Sequence, residues 1–286
     1  MLKTRIITAL VALAILLMAL FAFPRWAWAL FTLLIVAASI WEWSRFCGSG
    51  KGACGAYFAL SALLAAFIGW AYLNGDSLGV TFRTIAAVGF MLATVFWFVL
   101  ATSWLVKTWR PESFWLKAVV GWLVIYPTWL AFLLLRDQGP WALLSFAAIV
   151  WVADIAAYFA GKRFGRHKLA PAISPGKTIE GVYGAVAGVT LYYFAWQYLI
   201  ANTSVRSEDW VWQVQSHGWE LLAVFLVLTI MSVVGDLFES WMKRGAGMKD
   251  SSNLLPGHGG VLDRIDALTS TLPLAALYMT LTGNVQ

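Results

Sequence analysis

Apolar residues run through this chain in blocks of about twenty, separated by short polar stretches. A helix needs about 20 mostly apolar residues to cross a bilayer. Blocks of that kind lie at roughly 6–23, 26–43, 53–73, 84–106, 116–135, 139–161, 179–201, 219–238 and 265–282, which predicts nine spanning helices. Only Pro24 and Arg25 separate the first two blocks, so a tight helical hairpin is expected there. The opening block looks like a signal peptide. However, a second apolar block follows at once and no small-x-small cleavage site intervenes, so a retained first helix is expected. Heptads, low-complexity segments and internal repeats are absent from the pattern.

Composition agrees with the pattern. Of 286 residues, 61% are hydrophobic and 12% charged, and the mean hydropathy is +0.75. A soluble domain cannot hide that much apolar surface, so the fold class is an all-α, polytopic integral membrane protein. Two long polar interruptions, 162–178 and 239–264, organise it further. Residues 1–138 hold spans one to five, and 139–286 form a C-terminal part that holds spans six to nine and carries both polar loops, where any catalytic chemistry is expected. The net charge of +6 implies no nucleic-acid partner, because in a membrane protein basic residues record topology. With the N-terminus cytoplasmic, sixteen of the twenty Lys and Arg fall on the cytoplasmic side, leaving Arg25, Arg83, Arg136 and Arg206 opposite. Both polar loops then face the cytoplasm. The 18 tryptophans are expected to anchor span ends at the interfaces, and Cys47 and Cys54 to be free thiols.

Carboxylates appear where lipid should be. Asp154 lies about two turns, roughly 10 Å, inside the sixth span, and Asp236 lies near the same end of the eighth. An acid at such a depth costs about 2.5–3.5 kcal/mol and usually faces a bundle interior or a wet cavity. Asp236 and Glu239 are three residues apart and share a helix face, as do Asp263 and Asp266 at the mouth of the ninth span. Pairing with nearby Lys or Arg is the bland explanation. Their concentration favours a hard cation such as Mg²⁺, which takes one or two carboxylates plus substrate phosphates. No His/Cys spacing suggests zinc.

The loop "GKRFGRHKLAPAISPGKTIEG" contains Ser-Pro-Gly-Lys-Thr. It is not a Walker A loop: the upstream glycine is missing and no strand is expected before it. Ser174, Lys177 and Thr178 can still form a phosphate site, with Thr178 capping the helix that starts beside Glu180. An ordinary basic loop with a cap explains the same residues about as well. The second loop adds Lys243, Arg244, Lys249 and Arg264, with Gly257, Gly259 and Gly260 allowing close backbone approach. His258 sits among them, although a lone histidine is more often structural. His167 and His217 give no signal. Mixed acids and bases imply metal-dependent phosphate chemistry on a polyanionic substrate, plausibly a lipid at the membrane surface.

The segment "SWMKRGAGMKDSSNLLPGHGGVLDRID", Ser240 to Asp266, closely resembles the signature of the phosphatidate cytidylyltransferases, the CDP-diacylglycerol synthases. It has the serine, Lys-Arg, Lys-Asp, Pro-x-His-Gly-Gly and Asp-Arg-x-Asp in register. "DIAAYFAGKRFG" and "SPGKTIEG" are also similar to family segments in the same order. The resemblance covers about residues 150 to 280. It implies an inner-membrane enzyme, with its active site facing the cytoplasm, that joins CTP and phosphatidate into CDP-diacylglycerol and pyrophosphate. It further implies Mg²⁺, a second, monovalent cation such as K⁺, and a homodimer.

Carried over by position, Asp236 and Asp263 are first for metal contact, with Asp266 and Asp250 next. Asp263, Asp266, Lys249, Asp250 and His258 form the implied catalytic group. Ser174, Lys177, Thr178, Glu180, Lys243, Arg244 and Arg264 bind substrate, and Asp154 lies behind them. Two other readings compete. A CTP-dependent lipid kinase would attack the γ-phosphorus. An ion-coupled transporter also uses intramembrane acids, but here they gather at one face and not across the midplane. The Asp-Gly…Ala-Arg pattern of CDP-alcohol phosphotransferases is absent.

Overall fold

A computed structural model describes residues 2–48, 50–202 and 218–282; Arg206 and His217 lie outside them. Ten α-helices account for most of these residues. They are α1 (Leu2–Ala22), α2 (Arg25–Cys47), α3 (Lys51–Leu73), α4 (Gly75–Val95), α5 (Thr102–Lys107), α6 (Phe114–Asp137), α7 (Pro140–Phe164), α8 (Ile179–Asn202), α9 (Gly218–Gly245) and α10 (Leu262–Leu281). A π-helical turn, Phe96–Ala101, joins α4 to α5 without a break. By length and composition, six helical stretches among the described residues can cross a membrane: Arg25–Cys47, Gly52–Leu73, Val80–Lys107, Phe114–Asp137, Pro140–Phe164 and Gly218–Gly245. Ile7–Ala22 is a shorter apolar helix. Large apolar side chains such as Leu63, Phe159 and Leu191 point away from the bundle, as lipid requires.

Three sequence expectations are corrected. Helix α9 does not stop at 238 but runs to Gly245, so 239–245 is helix and not loop. The extension holds because Trp241 and Met242 are buried and Lys243 pairs with Glu239 one turn earlier, at 2.8 Å. A strand does precede the Ser-Pro-Gly-Lys-Thr segment: β1 (Lys168–Ala170) pairs antiparallel with β2 (Ser174–Thr178). The hairpin folds back beside α8 and is still no phosphate loop of the Walker type. Finally, the tryptophans are not all interfacial anchors. Trp28, Trp43, Trp97 and Trp129 are buried, and each indole N–H donates to another helix: to Phe132 O, Lys117 O, Thr269 O and Thr32 Oγ1 respectively. Cys47 and Cys54 are free, as expected.

Close packing sets the positions of the polar residues. Along α8, a side chain on Gly181, Gly184 or Gly188 would run into Ala156, Ala157 and Ala160 of α7, so these two helices meet through small residues, as membrane helices commonly do. On α9, a Cβ at Gly235 would strike Ser270 Oγ and lie 2.9 Å from Asp266 O. That contact brings Asp236 alongside the start of α10. Helix α10 contains Pro273, which removes the N–H that would bond Thr269 O. Trp97 Nε1 donates to that carbonyl at 3.0 Å and Thr128 Oγ1 at 3.4 Å, so the break leaves no unpaired group. At the far end of the bundle, Asp137 accepts from Tyr72 Oη at 2.8 Å and pairs with Arg25 at 3.2 Å, while Arg136 donates to Phe23 O. These bonds tie the α1–α2 corner to α3 and α6.

Candidate active site

The polar loops of the C-terminal half and the end of α2 converge at one end of the bundle. Two cavities open there. The first, about 530 Å³, lies between α7, α8, α9 and the hairpin. Its walls are mostly small and apolar, including Ala153, Ala157, Val182, Ala185 and Val233. Asp154, Ser174, Lys177, Thr178 and Asp236 supply its polar groups. Lys177 Nζ reaches Asp236 Oδ2 at 2.7 Å. Thr178 Oγ1 accepts from Gly181 N at 3.1 Å, the expected helix cap. Asp154 lines the same cavity as Asp236, while Asp266 does not line it and has its carbonyl packed on Gly235.

The second cavity, about 640 Å³, is lined by Lys249, Asp250, Asn253, Leu255, Pro256, Gly257, His258, Gly259 and Arg264. Gly257 and Gly259 have φ of 77° and 84°, values that favour glycine. They turn the loop so that Leu255 N donates back to Gly259 O at 2.8 Å. Arg264 lines this second cavity two residues before Asp266, whose carbonyl packs on Gly235 beside Asp236 of the first. The two cavities therefore meet at the contact between α9 and α10.

Beside the glycine loop lies a network the sequence did not reveal. Asp263 Oδ1 takes Lys243 Nζ at 2.6 Å, and Asp263 Oδ2 accepts from Gly260 N at 2.7 Å, Ser251 N at 2.9 Å and Ser251 Oγ at 3.0 Å. Asp263 lies just ahead of the ninth apolar block. Burial pushes its carboxyl up, but Lys243 and the amides of Gly260 and Ser251 outweigh burial and hold it below the ordinary range. Glu42, fully buried on α2, accepts from Val261 N at 2.9 Å, Leu262 N at 2.7 Å, Ser251 Oγ at 3.1 Å and Ser252 Oγ. Arg45, one turn on, donates to Ser251 O. A Cβ on Gly260 would land on Ser251 Oγ and Glu42 Oε1, which explains the second glycine of the Gly-Gly pair.

Asp236, Lys177, Ser174, Thr178 and Asp154 thus share one cavity, and Lys249, Asp250, His258 and Arg264 share the other. Asp263 and Lys243 are bound to each other and line neither cavity. Lys243 is seven residues beyond Asp236 on α9, about 10 Å along the axis, so the two aspartates belong to one end of the bundle. Glu180 turns away from both cavities and pairs with His167 Nδ1 at 2.7 Å, closing the base of the hairpin. Arg244 is exposed and lines neither. Glu42 was missed although a signal existed: it is the only acid before Asp76 and ends an apolar block, where an ionisable residue needs a reason.

A helical membrane bundle with acids, lysines and glycine-rich backbone around adjoining cavities defines an integral membrane enzyme of phosphate transfer. The chain matches the cytidylyltransferase family over residues 3–282 and belongs to it. It is 38% identical to a phosphatidate cytidylyltransferase of Pseudomonas aeruginosa, covering 99% of this chain and 98% of that one. It is 35% identical to one of Haemophilus influenzae, covering 97% and 98%. A Staphylococcus aureus (strain COL) phosphatidate cytidylyltransferase is 40% identical over about half of each chain, 54% and 52%. The protein is accordingly a nucleotidyltransferase.

Proposed function

We propose that this enzyme is a phosphatidate cytidylyltransferase that joins CTP and phosphatidate into CDP-diacylglycerol and pyrophosphate at the cytoplasmic face of the inner membrane. The observation that carries the reading is the pair of adjoining cavities of unlike character. The small-residue walls between α7, α8 and α9 suit a lipid phosphate and the start of its chains. The polar, glycine-turned cavity suits a nucleotide triphosphate. Names of relatives aligned over nearly the full length support the same substrates, and the basic-residue count supports the orientation.

The chemistry asks little of a base. A phosphomonoester has a second pKa around 6 and is largely dianionic at neutral pH. One of its oxygens attacks the α-phosphorus of CTP, a new P–O bond forms, and the bond to the β-phosphate breaks to release pyrophosphate. The barrier is the mutual repulsion of two polyanions, so positioning and charge neutralisation dominate. Lys177 neutralises the lipid phosphate, and Lys249 and Arg264 face the triphosphate. His258 and Asp250 shape the nucleotide side.

The donor set fits Mg²⁺. Among the described residues no three His, Cys, Asp or Glu side chains gather closely enough to hold an ion alone, and Mg²⁺ typically takes one or two carboxylates and completes its shell with phosphates and water. Asp236 and Asp266 would hold it, and when bound it would add charge neutralisation at the phosphates. Asp263, with both oxygens occupied by donors, keeps Lys243 and the loop in place.

Purified protein with phosphatidate, Mg²⁺ and CTP labelled in the cytosine tests the assignment. Label in the lipid product, abolished by EDTA, is the expected result. Transfer of γ-phosphate label instead would make the protein a lipid kinase, and absence of any CTP-dependent lipid product would remove the assignment altogether.

A further inference from the structure

We propose that Glu42 is a positioning residue for the nucleotide side of the reaction, setting the glycine loop from a helix that lies outside the catalytic half. The inference rests on the assignment of the polar cavity to CTP. Glu42 touches neither cavity, since no lining residue of either belongs to α2. Its two oxygens meet four donors, the N–H groups of Val261 and Leu262 and the hydroxyls of Ser251 and Ser252. A carboxylate accepts about two hydrogen bonds per oxygen, so all four positions face a donor, the Ser251 hydroxyl being shared with Asp263.

These four donors bracket the glycine loop. Ser251 and Ser252 follow Lys249 and Asp250; Val261 and Leu262 follow Gly259 and Gly260 and begin α10. Both ends of the segment that lines the nucleotide cavity are therefore fastened to one buried carboxylate. The fastening also reaches the interior of the site: Ser251 N donates to Asp263, the single Ser251 hydroxyl proton is shared between Glu42 at 3.1 Å and Asp263 at 3.0 Å, and Asp263 holds Lys243. The lipid-side cavity is built from α7, α8, α9 and the hairpin, none of which bonds Glu42. A role in positioning should therefore divide the two substrates, which a general loss of stability would not do.

Glu42→Gln is close to isosteric but offers an NH₂ where two buried donors point. Kinetics are measured for both substrates in detergent, with the thermal midpoint alongside. Tyr72→Phe, which removes a buried hydrogen bond at the opposite end of the bundle, serves as a control for stability alone. Glu42→Gln is expected to raise KM for CTP at least about tenfold, the equivalent of about 1.4 kcal/mol, and to leave KM for phosphatidate within about twofold. Tyr72→Phe should leave both KM values unchanged. CTP binding to the unreacted enzyme, followed by calorimetry, should weaken by the same factor. Should Glu42→Gln fail to accumulate, Ser252→Ala removes one donor and leaves every bond to Asp263, and a several-fold rise in CTP KM alone is expected. Unchanged CTP KM and affinity in these variants, or equal loss for both substrates, would overturn the proposal. Wild-type protein that forms no cytidine-labelled lipid would instead mark failure of the underlying assignment.

Discussion

Two groups of carboxylates lie side by side in α9, α10 and α2, and they differ in how many donors they meet. Around Glu42 and Asp263, backbone amides, serine hydroxyls and Lys243 occupy the carboxylate oxygens. Around Asp236, Lys177 stands at 2.7 Å and Ser240 Oγ at 3.4 Å, and Asp154 lines the same cavity. On the proposed function, the saturated group is expected to act as architecture, since a buried carboxylate with all its partners fixes the groups that bond it, and the unsaturated group to hold a cation and phosphates. Formal similarity in the sequence, an Asp three residues from another acid in both places, conceals this division of labour.

Substitutions at the two groups should separate them. The largest effect is expected from Asp263→Asn, which breaks a buried pair worth about 3–5 kcal/mol to disrupt. Turnover should fall at least about 10²-fold and the thermal midpoint in detergent by several degrees. For Asp236→Asn we expect a comparable fall in turnover, about 10²-fold, with the midpoint unchanged or raised because a cluster of like charge is relieved. Equal destabilisation by both variants would erase the distinction. Lys177→Met should act mainly through phosphatidate, raising its KM about tenfold with little change for CTP. The smallest effect belongs to Thr178→Ala, which removes a helix cap worth about 1 kcal/mol and should appear as a modest fall in thermal midpoint with turnover retained within a few-fold.

Much of the bundle was legible because its signals are local. Helices α2, α3, α6 and α7 fall on apolar blocks, and the Pro24–Arg25 corner is a hairpin. Gathering Lys177 with Asp236, and Lys249 with His258 and Arg264, also follows from which loops share an end. What escaped depends on partners distant in the chain. The extra turns of α9 exist because Trp241 and Met242 find burial and Lys243 finds Glu239 and Asp263; by composition alone "ESWMKRG" reads as polar loop. The short β-hairpin has little apolar alternation, and its base is closed by His167 and Glu180, two residues 13 apart with no periodic relation. Glu42 bonds groups more than two hundred positions away, which no window of residues contains. The buried tryptophans escaped for the same reason: the acceptors of their indole N–H groups lie on other helices.

The span of 209 residues between Glu42 and Ser251 has a consequence for biogenesis. A ribosome adds about 5–20 residues each second, so the second helix is made roughly ten to forty seconds before its hydroxyl partners. The loop can be fastened only once the early and late parts of the polypeptide have docked, and a product that ends before Ser251 lacks those partners.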